Sequence, residues 1–467
     1  MLVALVVLYL AASAAVGFYA ATRVRGSADF VLARGRFGSV VVAATVFATW
    51  FGAETVLGIP ATFLKEGLRG IVADPFAAAA CLLLVAFVFA RPFHRLRGLT
   101  LGDFFRARFG RPTEVALTLC IAFSYLGWVA GQFVALGLAL EVLSHGAIAL
   151  HTGVVVGAVL VIAYTAAGGM WSVALTDFFQ AIVIIAGLIY VAFVVAGLAG
   201  GPGAVLASAT AGERLRFLPE PGLGALLAWI TSALVVMLGS VPQQDVLQRV
   251  KSARTEAGAI AGSAAGGLLY FAVAFVPVFL ACAALTIDPA LVHDLSARDP
   301  QLILPTLILA RTPLAVQALF FGALVSAILS TAGGALLAPA VTIAENLVRP
   351  FVRDPGERAL LRTQRATVVV LGLAVLAMAL ASNASIYDLV NNSGKVVLVA
   401  AFVPLAAGLF WARASARGAH TSIALGFVTW ITCEALAPAA ALPPALAGLL
   451  ASIVGMIAGS WSARRAG

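Results

Sequence analysis

The sequence predicts an all-α integral membrane protein of about thirteen transmembrane helices, two of them broken. Three observations carry that prediction. The chain is 62% hydrophobic and only 10% charged, with a mean hydropathy of +1.06, whereas soluble domains lie nearer half apolar and a quarter charged. Apolar stretches long enough to cross a bilayer recur along all 467 residues. Two of these stretches hold Gly, Pro and polar residues near their middles, where lipid offers no partner to a freed backbone group.

In order, the expected spans are roughly 2–21, 38–64, 70–93, 113–141, 150–167, 174–199, 222–246, 257–285, 312–345, 364–382, 386–411, 419–438 and 444–462. Ala12-Ser13-Ala14 in the first resembles a signal cleavage site. No basic residue precedes the apolar run, however, and the arginines follow it, so the segment reads as a retained helix. The second span contains Phe47 to Pro60, with two Gly, a Pro, two Thr and Glu54. An intramembrane carboxylate is costly and normally faces a protein interior or a solute pathway. The seventh span is interrupted at Leu238-Gly239-Ser240-Val241-Pro242-Gln243-Gln244-Asp245.

The two interruptions lie five helices apart. Five is odd, so the units that contain them run in opposite directions through the membrane. Interrupted helices in corresponding positions of two halves point to an inverted-repeat transporter with its site between them. The expected organisation is a peripheral first helix and loop at 1–37, a five-helix repeat at 38–199, an inverted repeat at 222–411 and two peripheral helices at 412–467. The connections near 200–221, 286–311 and 346–363 leave room for loops and short helices, not for a soluble domain.

A net charge of +9 could suggest nucleic acid, but the positions of the basic residues exclude it. With the N-terminus outside, 22 of the 29 basic residues fall in cytoplasmic segments, six in external ones, and Lys395 within a span. That asymmetry follows the positive-inside rule and predicts a multi-pass cell-membrane (inner-membrane) protein, N-terminus out and C-terminus in. The four cysteines lie in or beside apolar spans without paired spacing, and the five histidines are scattered. Neither disulfides nor a transition-metal site is expected. No nucleophile–base pair is visible, so the chain does not read as an enzyme, and no organic cofactor is called for.

The segment Tyr164-Thr165-Ala166-Ala167-Gly168-Gly169-Met170-Trp171-Ser172-Val173-Ala174-Leu175-Thr176-Asp177-Phe178-Phe179-Gln180 resembles the signature of the sodium:solute symporter family. Gln244-Asp245-x-x-Gln248-Arg249 after the second break and Ala327-Ile328-Leu329-Ser330-Thr331 in the ninth span also match. The resemblance covers nearly the whole chain in order. It implies a leucine-transporter-type fold, with spans 2–6 and 7–11 as the inverted repeats.

The resemblance also implies a sodium site. Backbone carbonyls of Ala48 and Phe51 at the first break would face the Ala327 carbonyl and the hydroxyls of Ser330 and Thr331. Such a set suits Na⁺, a hard cation that prefers several oxygen ligands. Asp177 resembles the family's acidic residue on the ion's inward exit route. Read without the family, Ser330 and Thr331 are hydroxyls bonding back to their own helix, and Asp177 is a helix N-terminal carboxylate with Thr176 as cap.

For the solute, the pattern around Thr49-Trp50 and the spacing to Trp128 look most like the choline-transporter branch, whose tryptophans cage a quaternary ammonium through cation–π attraction. Trp50 and Trp128 stand at two cage positions, while Gln243 occupies the third. Lys395 lies about nine residues into the eleventh span, ~13 Å from its outer end, at a depth similar to Glu54. An ion pair between Glu54 and Lys395 is therefore expected, as an outer gate or as complementary poles for a zwitterion.

Together these features predict sodium-coupled symport, by alternating access, of a small polar organic solute bound by Trp50, Glu54, Trp128, Gln243 and Lys395. An amino acid or other zwitterion is favoured. The partners are then the solute, Na⁺ and the bilayer, compatible with a monomer. Alternatives are a choline-like cation, proton coupling through Lys395, or a transporter-like sensor that would need a separate signalling partner.

Overall fold

The computed structural model describes residues 1–210, 213–352, 356–381, 386, 394–438 and 441–462. The expected spans at 364–382 and 386–411, together with Arg353, Arg464 and Arg465, fall partly or wholly outside them. The regular secondary structure among the described residues is helical, apart from one isolated bridge between Phe37 and Ala253.

We number the main helices in chain order. They begin with α1 (Leu2–Ala21), then α2 (Ser39–Trp50) and α3 (Glu54–Glu66), α4 (Leu68–Arg95), α5 (Leu101–Phe109), α6 (Arg111–Leu143) and α7 (Leu150–Leu198). After a loop come α8 (Leu223–Gly239), α9 (Gln244–Ser252), α10 (Glu256–Ile287), α11 (Leu314–Phe351), α12 (Glu357–Ala381), α13 (Gly394–Phe410), α14 (Ala416–Leu436) and α15 (Pro444–Trp461). Among the described residues, eight elements are long and apolar enough to cross a membrane, or ten when each bent pair counts as one span.

Both expected interruptions are real bends. The axes of α2 and α3 diverge by 55°, and those of α8 and α9 by 46°. At the first, Phe51 leaves helical geometry with φ −90° and ψ 77°. At the second, Ser240 to Gln243 separate the two segments, and Gln243 is extended at φ −88°, ψ 141°.

Expected spans 5 and 6 form one 49-residue element, α7. A straight helix of that length would run about 74 Å, well over a bilayer's thickness. The element breaks at Gly169, with φ 51° and ψ −134°. A Cβ there would approach the Phe30 carbonyl oxygen to 2.4 Å, so the Gly-Gly pair permits both the backbone reversal and the close approach. The remaining expected spans correspond to the shorter α13, to α14 and to this divided α7.

The centre of the bundle is α11, almost entirely buried and packed between α6, α7 and α2. α10 lies along α2, α1 lies along α7, and α14 and α15 pack mainly on each other. Large apolar side chains such as Phe123, Phe193, Val370 and Val454 remain exposed, the surface expected of helices that meet lipid tails.

Candidate functional site

The site forms where both breaks meet α11, α6 and the second half of α7. On α11, the Ser330 hydroxyl lies 2.7 Å from the Ala48 carbonyl oxygen and 3.0 Å from that of Ala327, and can donate to either. The Thr331 hydroxyl lies 2.9 Å from the Thr49 carbonyl and 3.4 Å from that of Ala48. Ala48, Ala327, Ser330 and Thr331 therefore converge as one buried cluster of oxygens. Carbonyls are available there because α2 ends: the last turn of a helix leaves its C=O groups without intrahelical donors. Phe51 ends the same turn, its amide bonded back to the Phe47 carbonyl at 3.0 Å.

Thr49 extends this cluster downward. Its hydroxyl donates to Asp177 Oδ2 at 3.3 Å and accepts from Arg249 Nε at 3.1 Å and from Arg249 Nη2. Asp177 is fully buried, and its Oδ1 has no hydrogen-bond partner among the described residues. It lies one side chain from the oxygen cluster. Arg249 donates further to the Asp245 carbonyl at 2.9 Å and the Thr45 carbonyl at 3.3 Å.

The solute-facing residues lie on the other side of the first break. Glu54 is buried, with Oε1 accepting from Trp128 Nε1 at 3.2 Å and Oε2 from Gln132 Nε2 at 2.7 Å. Gln132 Oε1 accepts from the Ala53 amide at 3.0 Å, so one side chain both fixes the carboxylate and satisfies the broken backbone. Trp50 and Trp128 meet edge to face with centroids 6.5 Å apart, and Tyr125 stacks on Trp128 at 6.0 Å. The Tyr125 hydroxyl donates to Asp245 Oδ1 and accepts the Asp245 amide at 3.0 Å, tying α6 to the second break. The Trp50 Nε1 donor is buried without a partner. Gln243 is buried as the residue just before α9.

A second carboxylate lies nearby. Asp74, on α4, is buried and accepts from the Tyr270 hydroxyl, which lies 3.5 Å from the Thr55 hydroxyl. Neither Glu54 nor Asp74 forms an ion pair among the described residues.

One expectation is corrected here. Lys395 does not pair with Glu54: its Nζ lies 3.7 Å from Glu434 Oε1 on α14, with side chains 30% and 46% exposed. Similar depth in the bundle is insufficient for contact, because the lysine's direction on α13 carries it to α14. There the ammonium has a carboxylate partner, which an isolated charge in the bundle would lack. Glu54 finds neutral donors instead.

Sequence reasoning missed Tyr125, Gln132, Asp74, Tyr270 and Arg249. Tyr125, Trp128 and Gln132 are spaced three and four apart, one face of a helix, so Trp128 could have brought in its neighbours. Asp74 carried the same intramembrane-carboxylate signal as Glu54.

The profile of the sodium:solute symporter family matches residues 30–426. The chain is 27% identical over 450 residues to the high affinity choline transporter 1 of Homo sapiens, covering 92% of this chain and 76% of that protein. It is 28% identical over 448 residues to the sodium/pantothenate symporter of Escherichia coli (strain K12), covering 91% and 89%. In fold it is similar to a Na⁺-coupled sialic acid symporter in a substrate-bound outward-open state, at TM-score 0.84 and 18% identity over 99% of this chain and 98% of that one. A nucleobase-cation-symport-1 transporter in a closed conformation matches at TM-score 0.64 and 17% identity, over 93% of this chain and 95% of that one.

Proposed function

The chain belongs to the sodium:solute symporter family, and from that premise we propose that it carries a small organic ammonium compound across the membrane together with Na⁺. Membership makes it a multi-pass, sodium-coupled solute symporter of leucine-transporter-type fold, and not an enzyme. The identity of the solute and the roles of individual residues are our reading.

The observation that carries the ammonium reading is the pairing of buried Glu54 with the aromatic group Trp50, Trp128 and Tyr125, while Lys395 lies elsewhere. A buried carboxylate held by neutral donors favours a cationic guest. Aromatic faces add cation–π attraction, ~0.5–2 kcal/mol each depending on desolvation. The unpartnered Trp50 Nε1 suits a hydrogen-bond acceptor on the same molecule, such as a hydroxyl or carboxylate. The choline transporters among the relatives favour the same chemistry.

Na⁺ would take the carbonyls of Ala48, Phe51 and Ala327 and the hydroxyls of Ser330 and Thr331. The hydroxyls hold the site together by donating to those carbonyls, and turn their lone pairs to the ion when it enters. Ion and solute sites share the first break, so each changes the other's affinity by the same factor, and the gradient of one can drive the other. In this account spans 2–6 and 7–11 are the inverted repeats, flanked by 1–37 and 412–467. The termini lie outside and inside respectively, and Asp177 borders the ion's inward route.

Uptake into proteoliposomes tests the reading with labelled choline, glycine betaine, proline and pantothenate, with and without an inward Na⁺ gradient. Gradient-dependent accumulation of the ammonium compounds and exclusion of pantothenate is the expected result. Accumulation of pantothenate alone would overturn it.

A further inference from the structure

Arg249 is among the largest fully buried side chains in the molecule, at 1% exposure. It belongs to α9, the segment after the second break, yet its guanidinium reaches across to the last turn of α2. Nε and Nη2 both meet the Thr49 hydroxyl, Nε also meets the Thr45 carbonyl, and Nη1 meets the Asp245 carbonyl. A buried guanidinium needs its N–H groups matched, and an off-axis acceptor costs more here than at the surface.

Thr49 is the junction. Its carbonyl accepts the Thr331 hydroxyl, and its own hydroxyl accepts from Arg249 while donating to Asp177. One residue thus touches the oxygen cluster proposed for Na⁺ with its backbone and α9 with its side chain. α11 is shaped to admit the contact: a Cβ on Gly334 would lie 2.4 Å from Arg249 Nη2 and 3.2 Å from the Thr49 hydroxyl.

Beyond Arg249, α9 is fastened at the Arg-rich end of the bundle. The Gln248 amide donates to the Val31 carbonyl at 2.9 Å. Gln244 accepts from the Leu101 amide at 2.9 Å and donates to the Leu99 carbonyl at 3.1 Å, and Lys251 bonds the Leu96 carbonyl. Phe37 closes the set, its amide on the Ser252 carbonyl at 2.9 Å and its carbonyl accepting the Arg254 amide at 2.8 Å. These bonds seal that end and must open for passage through it.

From this arrangement we infer that the Thr49–Arg249 contact is the link through which Na⁺ occupancy controls the seal made by α9, with Arg249 as a positioning residue. When Na⁺ draws the Ala48 carbonyl and the Thr331 hydroxyl to itself, the end of α2 is fixed. Thr49 then presents its hydroxyl to the guanidinium, and α9 is held against the 31–37 and 96–101 segments. When Na⁺ leaves, the Thr331 hydroxyl alone ties the Thr49 backbone, Thr49 can turn its hydroxyl from the guanidinium, which keeps only the Thr45 and Asp245 carbonyls, and the seal loosens. The inference rests on the sodium site proposed above.

The test uses Thr49→Val, which removes the side-chain hydroxyl at nearly constant shape and leaves the Thr49 carbonyl in place. Thr49→Ser restores the hydroxyl. Gly334→Ala displaces the guanidinium while altering no polar group. Each is placed with Ala253→Cys in a background lacking the four native cysteines. Labelling by a membrane-impermeant maleimide at the Arg-rich face is then followed in Na⁺ and in K⁺, beside Na⁺-dependent uptake. Na⁺ is expected to slow labelling about tenfold in the parent and in Thr49→Ser, and to have less than a twofold effect in Thr49→Val and Gly334→Ala. The full Na⁺ effect persisting in Thr49→Val would overturn the inference. Parent uptake that needs Na⁺ while labelling ignores it also overturns the inference and spares the sodium site. Parent uptake indifferent to Na⁺ removes the sodium site and the inference together.

Discussion

Glu54 and Trp128 are joined by a hydrogen bond from the indole Nε1 to Oε1 at 3.2 Å, with Gln132 on the other carboxylate oxygen at 2.7 Å. The carboxylate is thereby fixed beside the aromatic ring that it helps to orient. A charged group and a π-face in one constrained unit form a compact receptor for an ammonium ion.

Replacing Glu54 by Gln keeps the shape but removes the charge. The new amide must also turn an N–H₂ toward Trp128 Nε1 or Gln132 Nε2, so one donor faces another. Two unit charges ~4 Å apart attract by about 4 kcal/mol at an effective dielectric of 20, so loss of the charge should weaken affinity for the ammonium solute by about tenfold or more, ~1.4 kcal/mol. Binding to the purified protein checks this. An E54Q variant with unchanged affinity would remove Glu54 from the solute site.

Trp128→Phe separates the two parts of that unit. The ring remains while the indole donor to Glu54 is lost, so affinity should fall by a few fold. Trp128→Leu, which also removes the π-face, should weaken it by a further ~0.5–2 kcal/mol. Equal losses in both variants would mean that the ring face contributes nothing. Both are read from the same binding titration, and retained solute-free melting temperature shows that the fold persists.

Lys395→Met should leave solute affinity within about twofold of the parent. The Lys395–Glu434 pair is partly exposed on both sides, and such pairs contribute about 0–1 kcal/mol to stability. A tenfold loss in solute affinity would restore the lysine as a pole of the site.

Most of the architecture was legible in the sequence because bilayer chemistry constrains it severely. The breaks at Phe51 and at Ser240 to Gln243 announced themselves through nearby Gly, Pro and polar residues that no simple anchor would carry. Ser330 and Thr331 were legible only in combination with the family motif, since paired hydroxyls on a helix are ordinary. What failed was direction. Lys395 and Glu54 were expected at a similar depth, but sequence spacing does not say which way α13 turns its lysine, and it meets Glu434 on α14 instead. Arg249 was read as a cytoplasmic basic residue and as the end of the Gln244-Asp245-x-x-Gln248-Arg249 motif, without a partner. Asp245 is its i,i+4 neighbour on α9, but its burial also needs Thr49 of α2 and Gly334 of α11 to meet it from two other helices, which no local pattern encodes.

Outside the spans, Arg311 bonds Asp288 Oδ2 at 2.6 Å from Nη2, and the Leu291 amide caps Oδ1. These contacts hold the Asp288 carboxyl below its ordinary range. A depressed carboxyl favours the folded form above its unfolded pKa, and that contribution disappears as pH falls through the lower folded value. Arg311→Met should therefore lower the melting temperature slightly at neutral pH and make no difference in strong acid. Melting curves from pH 7 down to about pH 1, below both the folded and the unfolded carboxyl values, check this, and an equal effect at both extremes would contradict it.

The central claim is that the oxygen cluster of Ala48, Ala327, Ser330 and Thr331 binds the coupling ion. Its most direct measurement is the Na⁺ concentration for half-maximal solute uptake in proteoliposomes carrying Ser330→Ala or Thr331→Ala. The account predicts a rise of about tenfold or more in each, corresponding to ~1.4 kcal/mol, with a preserved maximum at saturating Na⁺. A Na⁺ curve identical to that of the parent protein in both variants would contradict it.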